Sequence, residues 1–93
     1  MKVKSFLVVM EKFTTRAAML FPTKEFARET KRLADEVRGQ LRKQFSLGPY
    51  TGDDVLPPAV EMDEGATQAL AELCKYLDEH DLGVDYARIA QSA

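Results

Sequence analysis

One cysteine, Cys74, and one histidine, His80, are the side chains of this sequence best suited to nucleophile and base chemistry. A thiol and an imidazole do such work when the fold brings them within hydrogen-bond reach, or when they share a metal ion at tetrahedral ligand spacing. These two stand six positions apart, about one and a half turns along a helical stretch, and do not share a face at that spacing. No second Cys or His completes a metal set, and no glycine-rich phosphate cradle is present. Asp53, Asp54, Glu61, Asp63 and Glu64 offer oxygen ligands, but their spacing does not match a calcium loop. Loop solvation and negative charge at a helix N-terminus are the plainer roles for them. His80 falls near Ala69, Leu73 and Tyr76 on the apolar side of its helix, where a lone histidine reads as a core or interface residue. The expectation is a protein that is not an enzyme and uses no cofactor and no metal.

Charge is the more informative signal. The net charge is −2, yet residues 1–45 carry eleven Lys and Arg against five acids, a net of +6. Residues 46–93 carry two against ten, a net of −8. Such an asymmetry either folds back on itself or faces a charged partner. Lys24, Arg28, Lys31, Arg38 and Arg42 cluster on one flank of a helical wheel, a pattern that can track phosphates. Acids three residues before Arg28, Arg32 and Arg38 give the plainer account of a solvated helix face.

The elements that must position these residues follow from periodicity. Val3 to Met10 is β-branched and apolar and predicts a strand, with apolar groups on both faces. Thr14 to Phe21 predicts a second antiparallel strand, so that residues 2–10 and 14–21 form a hairpin. The two alanines, with Thr14 or Thr15 as cap, leave a short helix as the alternative for that second segment. Thr23 then caps a long amphipathic helix over 24–45, whose stripe runs through positions 26, 30, 33, 34, 37, 41 and 45. Gly, Pro and acidic residues mark 46–58 as a loop. A second helix is predicted over 63–82, with Gly83 as its terminator. A short helix over 85–91 is capped by Asp85. The fold class predicted is α+β, in a single domain of residues 1–93.

That architecture leaves one apolar strand face uncovered, which favours a homodimer through the N-terminal strands. A helix-turn-helix is disfavoured, because Asp85-Tyr86-Ala87-Arg88 opens the second helix where polar and basic residues must reach bases. The apolar run Phe6 to Met10 is too short for a secretory core or a bilayer span, and a lone cysteine makes no internal disulfide. The expected setting is therefore the cytoplasm, with no membrane partner.

The function these features favour is a small non-catalytic protein–protein interaction module, an adaptor, inhibitor or subunit. Its acidic half would meet the partner through Asp53, Asp54, Glu61 and Glu64, in one version as a mimic of nucleic acid on a basic groove. The alternative is a nucleic-acid-binding protein using Lys24, Arg28, Lys31, Arg38 and Arg42.

Overall fold

Residues 3 to 20 form one continuous helix, where the sequence pattern favoured a β-hairpin. The chain, described over all residues 1–93 in a computed structural model, is helical throughout. Its elements are α1 (Val3–Leu20), α2 (Lys24–Gln44), α3 (Glu64–His80) and α4 (Tyr86–Ser92), with one 3-10 turn at Asp53–Val55. The only extended pairing is an isolated bridge between Lys2 and Glu61. The α+β class and both strands, 2–10 and 14–21, are therefore corrected to an all-helical fold. A homodimer through N-terminal strands has no strand edge to use.

The reason lies in what α1 packs against. Val3, Phe6 and Val9 are fully buried, with Leu7, Met10 and Phe13 packed beside them. Those positions recur at three and four residues, the helical period. Apolar groups on both sides of a presumed strand are what a helix shows when other helices cover it from more than one side. The β-branched Val3, Val8 and Val9 favour a strand only mildly, and tertiary burial overrides that preference. Glu11, Lys12, Thr14 and Thr15, read as a turn and a strand start, are the solvent side of the helix.

The other helices follow their stripes. In α2, Thr30, Leu33, Ala34, Val37 and Leu41 are buried. Thr23 caps it, its side chain accepting from the Phe26 amide at 3.2 Å. At the far end Ser46 takes a left-handed φ of 53°. Leu47 N–H then reaches the Arg42 carbonyl at 2.8 Å and Ser46 N–H the Lys43 carbonyl, the pairing of a Schellman motif. In α3, capped by Asp63, the residues Ala66, Leu70, Leu73, Cys74 and Leu77 are buried. Gly83, at φ 94°, turns the chain into α4, whose N-terminus Asp85 caps.

Side-chain partners fix the arrangement. The Gln44 amide donates to the Glu61 carbonyl, its oxygen accepts from Asp63 N–H, and Phe26 stacks on Tyr76, so α2 and α3 are antiparallel. The Arg38 guanidinium lies 5.4 Å from the Phe6 ring centre and Phe13 meets Phe26, which sets α1 antiparallel to α2. Ser5 Oγ donates to the Ala90 carbonyl at 2.7 Å inside the molecule, and Arg16 and Tyr86 meet on Asp81, so α4 runs antiparallel to α1. One cluster of 16 buried residues joins all four helices. Each large apolar side chain within it contributes about 2 kcal/mol by burial.

Candidate interaction surface

The two ends of the bundle differ in kind. At one end the α2–α3 connection closes over the start of α1. Val3 N–H donates to the Val60 carbonyl at 2.9 Å and Lys4 N–H to the Pro58 carbonyl at 3.0 Å. Two of the helix's orphan donors are thereby satisfied, and Leu56 is buried beneath the strap. Pro57-Pro58 thus belongs to a structural clasp.

At the other end the chain turns from α1 into α2 and leaves its apolar side chains in water. Met19 is 75% exposed, Leu20 54% and Phe21 89%, and Leu82 at the same end is 79% exposed. Phe21 also adopts φ 48°, ψ 67°. The left-handed region costs an L-residue about 1–2 kcal/mol and is usually filled by Gly or Asn at a helix end. Pro22 disfavours the right-handed helical conformation for the residue before it, which ends α1 at this point. Phe21 is thus unfavourable to the isolated fold on two counts, its backbone and its exposure.

Beside Phe21 runs a groove of about 350 Å³ with Phe13, Ala17, Leu20 and Phe26 on its walls. Four rings, three of them on its walls, pack in series. Phe13 and Phe26 meet edge to face at 5.7 Å, Phe26 stacks on Tyr76 at 5.8 Å, and Tyr76 stacks on His80 at 4.1 Å. At the rim, Arg16 Nε donates to Asp81 Oδ2 at 2.7 Å and its Nη2 to Asp81 Oδ1 at 2.6 Å. The buried Tyr86 hydroxyl donates to the same carboxylate. The Arg16 hydrogen bonds hold the Asp81 carboxyl below its usual range, with Tyr86 assisting, although burial acts the other way. Burial, then the bond to Asp81, pushes the Tyr86 hydroxyl up. The rim is a closed polar unit already satisfied within the chain.

The charged residues singled out from sequence lie elsewhere, and several neutralise one another. Arg38 Nε donates to Asp53 Oδ1 at 2.9 Å and Nη2 to Asp53 Oδ2 at 3.0 Å, so a member of the basic set is bound to a member of the acidic set. Lys31 pairs with Asp35 at 2.7 Å, and Arg42 donates to the Thr51 carbonyl. Lys24 and Arg28 form no ion pair and sit on the first turns of α2, near the apolar corner. Among the acids, Glu61 holds the Met1 amino group at 3.0 Å, whereas Asp54 and Glu64 are exposed and unpaired. The charge asymmetry therefore folds back on itself in part.

Cys74 and His80 are not brought together. Cys74 is buried, and desolvation, followed by the charges of Asp78 and Asp85, pushes its thiol up to about 12. His80 is exposed, with Nδ1 2.9 Å from the Tyr76 carbonyl, and lines the groove beside Phe21. No three His, Cys, Asp or Glu side chains are placed to hold a metal ion, and no helix is long and apolar enough to cross a membrane.

Phe21 and its neighbours carry no role in the sequence pattern, because a strand over residues 14–21 gives Phe21 no place at a helix end. The signal was present, since three consecutive large apolar residues before Pro22-Thr23 sweep about 200° of a helix and cannot all face one core. Comparison of the chain with protein-family models, with curated proteins and with solved structures gives no match.

Proposed function

We propose that this chain is a non-catalytic protein–protein interaction module whose contact surface is the α1–α2 corner, with Phe21 as its anchor. The observation that supports this is the double disadvantage of Phe21, left-handed in backbone and 89% exposed. Backbone strain retained at one place in a fold points to a role for that place. Aromatic side chains beside a preformed apolar groove are what interface hot spots consist of. The acidic residues Asp54 and Glu64 remain as a second charged surface at the far end, suited to steering a basic partner.

The alternative, nucleic-acid binding along α2, draws on Lys24 and Arg28 as its unpaired cations, since Lys31, Arg38 and Arg42 are engaged within the chain. Capture experiments from the source cells separate the readings. Tagged wild-type chain is expected to recover a stoichiometric protein that survives nuclease and is lost with Phe21→Asn. Recovery of nucleic acid that Lys24→Glu with Arg28→Glu abolishes would favour the alternative. A protein retained by Phe21→Asn but lost when Asp54 and Glu64 become Lys would move the surface to the acidic end.

A further inference from the structure

We infer that the occupant of the apolar corner is a second copy of this chain, packed across a two-fold axis so that Phe21 of each copy enters the groove of the other. This rests on the corner being the contact surface. An isologous interface requires one patch to carry both the projecting and the receiving element. Phe21 projects, and the groove it borders is walled by Phe13, Ala17, Leu20 and Phe26. An axis passing beside Phe21 sets each ring over the other copy's groove, where aromatic side chains pack at offset or edge-to-face angles.

Exposure and charge agree with that occupant. Leu20 and Phe21, 54% and 89% exposed, both line the groove, and a two-fold covers them in each copy. Burying the groove strands no charge, because Asp81 is already bound by Arg16 and Tyr86. The first turns of α2 carry Lys24 and Arg28 beside Glu25, none of them in an ion pair, so a two-fold can set a cation of one copy against Glu25 of the other. The net charge of −2 adds little repulsion between copies.

Sedimentation equilibrium of the purified full-length chain, from low-micromolar to several-hundred-micromolar concentration, tests this. Wild type is expected to pass from monomer to dimer across that range. Phe21→Asn, which suits the left-handed backbone and so keeps the fold, is expected to weaken dimerisation at least ~30-fold at an unchanged circular dichroism spectrum. A monomer at every concentration overturns self-association, and the interaction reading survives it if Phe21→Asn still abolishes capture of a different protein. A dimer of equal strength in wild type, Phe21→Asn and Leu20→Ser overturns the inference by placing association elsewhere. It overturns the reading as well if capture is equally insensitive to Phe21.

Discussion

Asp81 is the single charged side chain among the buried residues, and its partners explain how it is tolerated. Two hydrogen bonds from Arg16 and one from Tyr86 replace the water it gives up. Because those bonds favour the carboxylate, the folded chain binds its proton less readily than the unfolded chain does. The stabilisation is therefore fully present above the ordinary carboxylate value of about 4 and is lost as pH falls through the lower folded value. Thermal unfolding followed from pH 6 downward should show stability falling below about pH 4. Asp81→Asn should lower stability at neutral pH by about 2 kcal/mol and flatten that acid dependence. A variant as stable as wild type would mean that the rim of the groove is not held by this network. Cys74 illustrates the opposite case, a thiol whose burial keeps it protonated and unreactive.

Among the elements, the α2–α3 connection is ordered by side chains of α2. Arg38 reaches Asp53 in a two-toothed contact while lying over Phe6, and Arg42 holds the Thr51 carbonyl. Arg38→Ala is expected to release residues 46–58, seen as faster cleavage there in limited proteolysis, and to lower stability by about 1 kcal/mol. Unchanged cleavage would show that the strap is held without Arg38, by Leu56, Arg42 and the Val60 and Pro58 carbonyls. The three later helices were legible in sequence because each carries a capping residue and one apolar stripe. Thr23 with Leu33, Val37 and Leu41 shows this, as does Asp63 with Leu70, Leu73 and Leu77. Helix α1 was not legible, because its cap is Lys2, which makes no side-chain bond, and its first donors are met by carbonyls nearly sixty residues away. Local pattern cannot report a helix whose start is capped by another part of the chain. The same holds for the charges, since only the fold shows that Arg38 and Asp53 cancel.

For the molecule as a whole, the strap end is tied down and the corner end is left open. Backbone donors, prolines and ion pairs converge at the first, whereas Met19, Leu20, Phe21 and Leu82 meet water at the second. A chain of this size has little stability to spare, with a total of about 5–14 kcal/mol at ordinary per-residue values. On the proposed reading, the exposed, left-handed Phe21 is kept for a partner outside the chain. Equilibrium unfolding of Phe21→Gly beside wild type, at a concentration too low for association, tests that claim most directly. Glycine relieves about 1–2 kcal/mol of left-handed strain and gives back about 0.5–1 kcal/mol in chain entropy, so the variant should be more stable by about 0.5–1 kcal/mol. A variant less stable than wild type by more than the ~1 kcal/mol that glycine costs in chain entropy would show that Phe21 packs into its own fold, and the corner would then be part of the structure rather than a surface for a partner.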